Sequence, residues 1–340
     1  MKAAVVILNW NGKKFLEQFL PSVTRNSPSW ARIIVADNAS GDDSVDFMRN
    51  QYPQVDLIIN AKNHGFAGGY NVALQQVQEE FLVLLNSDVE VTEGWLEPLI
   101  AWLEADPKRV AVQPKIRAFH DRESFEYAGA AGGYMDKDYY SFCRGRLFDE
   151  LEKDHGQYND NREVAWATGA CLVIRKSAFD RAGGFDTDFF AHMEEIDLCL
   201  RLKNMGLAVG YCSEGVVYHV GGGTLNKVSP FKTYLNYRNN LYLITKNHFT
   251  GPLFTKLFFR LVLDGVSAGP MLLKGEFGNI TAILKAHFHF YAALPALLRK
   301  RKTIRSQRNQ PNTAGLYPGS VIWQYFVKGK KKFSDYSITT

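Results

Sequence analysis

Two carboxylate clusters stand where chemistry is easiest to do. The first is Leu84-Leu85-Asn86-Ser87-Asp88-Val89-Glu90, in which acids follow a wholly apolar run. Asp88, at the end of a buried strand, either caps the next turn or holds a hard cation. Mg2+ or Mn2+ on carboxylate oxygen is what lets a doubly charged diphosphate enter a pocket. The second is Phe189-Phe190-Ala191-His192-Met193-Glu194-Glu195-Ile196-Asp197. Acids favour a helix N-terminus, and Asp197 stands four residues before Arg201, a stabilising spacing. That leaves Glu194 and Glu195, at the end of a loop and beside aromatics that read as exposed. A base that deprotonates a hydroxyl suits such a place.

Two further stretches bear on a ligand. In Tyr218-His219-Val220-Gly221-Gly222-Gly223 a histidine ends a strand. A lone histidine is most often structural, but glycines let backbone approach a ligand or move as a lid. His219 is therefore a candidate metal ligand or phosphate contact. Gly65-Phe66-Ala67-Gly68-Gly69-Tyr70-Asn71 leads a loop into a helix, in the manner of a phosphate cradle. It fits neither G-x-G-x-x-G nor the P-loop, which argues against a dinucleotide or ATP.

The elements that must position these residues alternate strand and helix. Apolar runs at Ala3–Leu8, Arg32–Ala36, Val55–Ile59 and Glu80–Leu85 read as strands, and Lys13–Thr24, Ser40–Asn50 and Gly69–Gln78 as helices. The pattern predicts a mostly parallel α/β sheet covered on both faces, with ligands outside the C-terminal strand ends. Polar residues collect at every such exit: Asn9 to Gly12, Asp37 to Ser40, Lys62 to Gly65, Asn86 to Asp88. Tyr127 to about Glu163 has no clear period and reads as a long surface excursion. Regular structure returns with a strand at Cys171–Ile174, helices at Lys176–Ala182 and Glu194–Asn204, and short strands at Ala208–Tyr211 and Gly215–His219. Beyond Pro230, Tyr234–Asn247, Leu253–Leu263, Phe277–His289 and Tyr291–Arg299 read as helices rich in Leu and Phe.

Composition narrows the function. The 340 residues carry a formal net charge of +5, too weak to argue for nucleic acid. Basic residues gather at Arg299–Arg308 and Lys328–Lys332; they read either as a solvated tail or as an attraction to anionic lipid. The four cysteines lack metal-type spacing and read as reduced, mostly buried thiols. The opening Met-Lys-Ala-Ala-Val-Val-Ile-Leu reads as a first strand rather than a signal peptide. No apolar run reaches the roughly 20 residues of a membrane span.

Taken together, Val5–Gly12, Val35–Ser40, Asn63–Asn71, Leu85–Asp88, Thr168-Gly169-Ala170, Glu194–Asp197 and Tyr218-His219 resemble glycosyltransferase family 2, the inverting enzymes of the GT-A fold, and within it a rhamnosyltransferase-like branch of bacterial cell-surface polysaccharide synthesis. The resemblance implies a GT-A domain at 1–228, with a nucleotide-binding half (1–115) and an acceptor-binding half (116–228). A helical membrane-associating or oligomerising region (229–310) and a basic tail (311–340) follow. By the resemblance Asp37 bonds the donor's base, Asn9, Asn11 and Asn38 line the same pocket, and Asn63, Gly65, Gly68 and Asn71 form the loop near base and ribose. Ser87 and Asp88 stand at the diphosphate. Asp88 is the last acid of an Asp-x-Asp motif whose first position is Asn86 here, with Glu90 as a possible helper. Asp88 and His219 would hold Mg2+ or Mn2+, Glu195 would be the base, with Glu194 beside it, and Thr168, Gly169 and Ala170 would wall the acceptor. The implied partners are a nucleotide-diphosphate sugar (dTDP-rhamnose, then UDP-hexoses), a saccharide or lipid-linked saccharide acceptor, a membrane surface and a second copy of the chain. The implied location is the cytoplasmic face of the membrane. The Gln-x-x-Arg-Trp motif of processive synthases is absent.

Two rivals remain. A nucleotidyltransferase making sugar nucleotides would carry a Gly-rich, basic loop after the first strand, where Asn9-Trp10-Asn11-Gly12 stands. A catalytically dead carbohydrate-binding protein would not need Asp37, Asp88, Glu195 and His219.

Overall fold

The computed structural model describes residues 1–221, 229–336 and 338. In chain order the elements are β1 (Ala3–Asn9), α1 (Lys13–Asn26), β2 (Ala31–Asp37), α2 (Ser44–Gln51), β3 (Asp56–Ile59), α3 (Gly65–Leu74), β4 (Phe81–Asn86), β5 (Val89–Val91), α4 (Glu97–Glu104) and β6 (Arg109–Ala118). Then come β7 (Gly133–Asp136), β8 (Ser141–Cys143), β9 (Arg146–Leu147), β10 (Glu150–Leu151), β11 (Arg162–Glu163), β12 (Cys171–Arg175), α5 (Lys176–Ala182), α6 (Glu194–Asn204) and β13 (Ala208–His219). Helices α7 (Pro230–Asn247), α8 (Leu253–Leu273) and α9 (Phe277–Ser306) precede a last strand, β14 (Leu316–Tyr317).

The main sheet runs β11-β13-β6-β12-β4-β1-β2-β3, with β5 on β13. Its donor side, β4-β1-β2-β3, is parallel throughout. β1 and β4 are apolar without alternation because both faces are covered. Ala3, Val5 and Ile7 pack with Leu16, Leu20 and Val23 of α1, and Ala4 and Val6 pack with Tyr70 and Leu74 of α3. Register aligns the exits: Asn9 pairs with Asp37, and Asp37 with Ile59. On the other side β12 runs antiparallel to both β4 and β6, and β6 runs parallel to β13.

The region 127–163 is not a surface excursion. β10-β9-β8-β7-β14 form a second sheet, and Tyr134, Met135, Phe142, Cys143 and Leu147 are buried. The cover comes from the end of the chain. Leu316 and Tyr317 pair with Met135 and Asp136, and the ring of Phe333 lies 4.8 Å from that of Tyr134. Gly315 is required for this approach. Its φ is 77°, and a β-carbon there would collide with the backbone of Ala165. The expected basic tail is thus a packed segment, with Lys331 paired to Glu150 at 2.8 Å.

The C-terminal helices also differ from expectation. The two segments read at 277–289 and 291–299 are one helix, α9, and α8 continues ten residues beyond Leu263. Of the charges that interrupt the apolar runs, Arg260 and Asp264 point inward, joined at 2.7 Å, with His287 3.1 Å from Asp264. Phe254, Phe258, Val266 and Leu273 of α8, and Phe277 and Phe288 of α9, face outward. Half of the Arg299–Arg308 cluster braces the fold. Lys300 pairs with Asp186 and Asp188, Arg301 donates to Thr245 O, and Arg308 donates to Asn204 Oδ1.

Candidate active site

The strand exits of the donor half form one polar network. Asn9 Nδ2 donates to Asp37 Oδ2 at 3.1 Å and to Ser40 Oγ at 3.3 Å, while Ser40 N–H donates to Asp37 Oδ1 at 2.9 Å. Asn11, in the left-handed region at φ 51°, accepts at Oδ1 from Gly41 N–H at 2.7 Å. Asn38 Nδ2 donates to Asn63 Oδ1 and to Gly65 O, each at 3.0 Å. Asn9 Oδ1 is buried with no partner among the described residues, beside Gly12, whose own β-carbon position is 3.5 Å from Ser87 Oγ. A buried acceptor of this kind calls for a donor from a ligand or water. Asn9, Asn11, Asp37, Asn38, Asn63 and Ser87 therefore stand together.

Gly65, Gly68 and Asn71 are each packed or bonded against other parts of the protein. Gly65 (φ 69°) lies against Phe190, where a β-carbon would come within 2.8 Å of the ring. Gly68 faces His64 of its own loop. Asn71 uses both ends of its amide on Phe185, donating to its carbonyl at 2.8 Å and accepting from its N–H at 3.0 Å. That geometry makes Asn71 an anchor for the loop after α5.

At the exit of β4, Asp88 and His219 meet. His219 Nε2 is 3.2 Å from Asp88 Oδ1, and its Nδ1 is 3.4 Å from Glu126 Oε1. β5 on β13 sets this contact, since Val89 pairs with His219. Burial alone would push the imidazole down, but Glu126 and Asp88 outweigh it and raise its pKa to about 10. Burial pushes Asp88 up, and His219 more than reverses this, holding it below the usual carboxylate range. Asp88 and His219 are oxygen and imidazole donors of the kind Mn2+ and Mg2+ accept, and Glu126 stands behind the ring as a carboxylate partner does for a ligating histidine. The donor set fits an ion that takes its remaining ligands from diphosphate and water. Among the described residues no three ligating side chains converge. The Glu90 carboxylate is bonded to Arg122 at 2.8 Å. The glycine run from Gly222 lies outside the described residues.

Glu194 and Glu195 open α6. Glu194 is buried, and Glu195 is half-buried, yet Oε2 of each is enclosed without a hydrogen-bond partner. Desolvation raises both: Glu194 goes well above the ordinary value, with Glu195 adding to the effect, and Glu195 reaches about 7 despite backbone N–H groups of the helix start and of Gly169. Gly169 separates Glu195 from α3, since its β-carbon position is 3.9 Å from Glu195 Cβ and 3.2 Å from Phe66 Cζ. Thr168 and Ala170 are buried. They tie the wall to the sheet, Thr168 N–H donating to Gln113 Oε1 and Asn86 N–H to Ala170 O, each at 3.0 Å. Of the two adjoining phenylalanines before the helix, Phe190 is exposed and Phe189 is fully buried.

Asp197 is an anchor, as its spacing from Arg201 implied. It accepts from Arg201 and from Lys246, each at 2.8 Å, and from Asn247 at 2.9 Å. Sequence reasoning missed Glu126, which lies in an unpatterned stretch. It read α7 only as part of the helical membrane-associating or oligomerising region.

A doubly covered sheet with polar exits thus carries a carboxylate–imidazole pair at one exit and a carboxyl raised toward neutrality at a helix start. The sequence profile of Glycosyl transferase family 2 matches residues 4–183, more than half of the chain, and the chain belongs to that family. It is a glycosyltransferase. Among relatives, it is 27% identical over 238 residues to the N-acetylglucosaminyl-diphospho-decaprenol L-rhamnosyltransferase of Mycobacterium tuberculosis, covering 65% of this chain and 76% of that one. Among solved structures, S. aureus TarS 1-349 in complex with UDP-GlcNAc superposes with a TM-score of 0.57 at 16% identity, over 90% of this chain and 88% of that one. The mannosyltransferase PcManGT of Pyrobaculum calidifontis, in complex with GDP-Man and Mn2+, gives 0.52 at 15% identity, over 89% and 86%. These likenesses carry the GT-A-type fold.

Proposed function

We propose that the chain is an inverting transferase that moves rhamnose from dTDP-rhamnose, or failing that a hexose from a UDP-hexose, to a saccharide on a lipid carrier during cell-surface polysaccharide synthesis. The observation that carries it is Glu195: a carboxylate with an unpartnered oxygen and a pKa near 7, beside Gly169. Such a group is charged often enough to accept a proton at neutral pH and basic enough to hold it. The lipid-linked acceptor and the rhamnosyl donor are supported by the mycobacterial relative's name. The UDP-hexose alternative is supported by the nucleotide sugar bound to TarS.

In this reading Asn9, Asn11, Asp37, Asn38 and Asn63 seat the base and ribose, the open Asn9 Oδ1 accepting from the base. Glu195 takes the acceptor hydroxyl's proton as that oxygen attacks the anomeric carbon opposite the diphosphate. The bond to the diphosphate breaks and configuration inverts. Asp88 and His219 would hold Mg2+ or Mn2+, which when bound supplies charge stabilisation to the departing diphosphate. Ser87 stands at the same end.

The outward apolar faces of α8 and α9 support seating on the cytoplasmic membrane surface, where a lipid-linked acceptor resides. No helix among the described residues is long and apolar enough to cross a membrane. A homodimer through the same faces is the competing use, and sedimentation with and without anionic vesicles separates the two.

The test of the activity is to offer the full chain dTDP-rhamnose, UDP-glucose and UDP-N-acetylglucosamine with Mn2+ and an N-acetylglucosaminyl-diphospho-lipid. The measured quantities are nucleoside diphosphate release and, by NMR, the new anomeric configuration. Release with inversion is expected. A retained configuration, no release from any donor, or pyrophosphate release from a nucleoside triphosphate would overturn the reading.

A further inference from the structure

We infer that Asn239, in the middle of α7, is a positioning residue for the Glu194–Glu195 pair. The inference rests on the reading of Glu195 as the base.

The loop before α6 is held in an unusual shape. Phe190, His192 and Met193 have φ of 64°, 67° and 71°, and none is glycine. A left-handed residue of this kind is strained and persists only where its surroundings over-determine it. Three of the contacts that hold the loop come from one side chain. Asn239 Nδ2 donates to the carbonyls of Phe189, Ala191 and His192 at 3.1, 2.9 and 2.7 Å. Two N–H bonds are thus shared among three carbonyls of consecutive loop turns, by a residue with no exposed surface.

The amide cannot turn over. Its Oδ1 accepts from Arg238 Nε at 3.0 Å and Nη2 at 2.8 Å, so a flip would face Arg238 with N–H groups and the three carbonyls with oxygen. Arg238 Nη2 also donates to the carbonyls of Asp188 and Phe189, each at 3.0 Å. From the donor side, Phe66 N–H holds the Phe190 carbonyl at 3.1 Å. The far end of α7 grips the first turns of α6 through Lys246 and Asn247 on Asp197. One helix therefore fixes both the strained entry to α6 and α6 itself. The entry leads directly into the two glutamates, the first residues of that helix.

A merely structural residue would affect folding, binding and turnover alike. A positioning residue would affect turnover and the base's titration while nucleotide binding stays. Asn239→Asp separates these, because it keeps the acceptor for Arg238, nearly keeps the volume, and sets oxygen against the three carbonyls. The experiment compares the full-length parent, Asn239→Asp, Arg238→Ala and Glu195→Gln. For each, thermal unfolding, calorimetric binding of dTDP and UDP with Mn2+, and kcat from pH 5 to 9 are measured with the donor that the parent turns over. For Asn239→Asp we expect cooperative unfolding and nucleotide affinity within about threefold of the parent. We also expect kcat lower by about 100-fold, the scale of a 1 Å misplacement, and an acid limb moved toward lower pH as the carboxyl gains water. Arg238→Ala should shift both in the same direction by about tenfold in kcat, and it decides the matter if Asn239→Asp does not fold. An unchanged kcat and acid limb beside an inactive Glu195→Gln would overturn the inference, as would a parallel fall of affinity, melting temperature and turnover. An active Glu195→Gln would overturn the base assignment itself, and the inference with it.

Discussion

The two ends of the site hold carboxylates under opposite conditions. Asp88 lies against the imidazole of His219, which keeps it ionised although it is buried. Among the described residues Glu195 has no ion-pair partner, and burial carries it to about 7. In the proposed reading one fold thus keeps a fixed negative charge for a cation at one strand exit and a proton acceptor at a helix start. The difference lies in partners rather than depth. Pairs of acids whose surroundings push their pKa values apart are how one site divides electrostatic and proton-transfer duties.

The sharpest way to break this comparison is Glu195→Gln, which removes the proton acceptor at nearly constant shape. Turnover should fall about 10³-fold, within the range general-base catalysis supplies, while nucleotide affinity holds. A change confined to KM would assign Glu195 to substrate binding instead.

Lys246→Met tests what holds the base helix. The ammonium bridges Asp186 at 2.5 Å and Asp197 at 2.8 Å with almost no exposure. Leaving two buried carboxylates short of their cation should cost about 3–5 kcal/mol, read from the denaturant midpoint. A loss below about 1 kcal/mol would mean that Arg201, Lys300 and Asn247 suffice.

The pH profile gives a smaller effect. In the proposed mechanism Glu195 acts as its anion, so kcat should rise with pH through about 7, falling tenfold per unit below it. An acid limb near 4.5 would show an ordinary, hydrated carboxyl. Stability runs the other way. A carboxyl whose folded pKa is raised contributes fully below its unfolded value and loses that contribution as pH rises through the folded one. Glu194 is such a group. Glu194→Gln should therefore raise the melting temperature at pH 8 and leave it unchanged near pH 4.

Legibility in the sequence follows the range of the contacts. β1 and β4 could be placed within a residue because strands buried on both faces are continuous apolar runs, and the polar exits follow them directly. β6 could not. Its Gln113 and Lys115 look like surface residues, yet both are buried. Gln113 is satisfied by Gly129 and Thr168, and Lys115 by Asp154. β13 reads as two strands because a bulge between Cys212 and Val216 breaks the alternation. The 127–163 sheet looked like a loop because its cover, Tyr317 and Phe333, lies more than 150 residues away. Asp37, Asp88 and Glu195 could be found from local pattern. Glu126 and the gripping residues Asn239 and Lys246 could not, since their roles exist only across the fold.

The most direct measurement of the division of labour is calorimetric titration of dTDP and UDP, with Mn2+ and with chelator, on the parent, Asp88→Ala and Glu195→Gln. The account predicts metal-dependent binding that Asp88→Ala abolishes and Glu195→Gln retains. Binding indifferent to Mn2+ and to Asp88, or lost with Glu195, would contradict it.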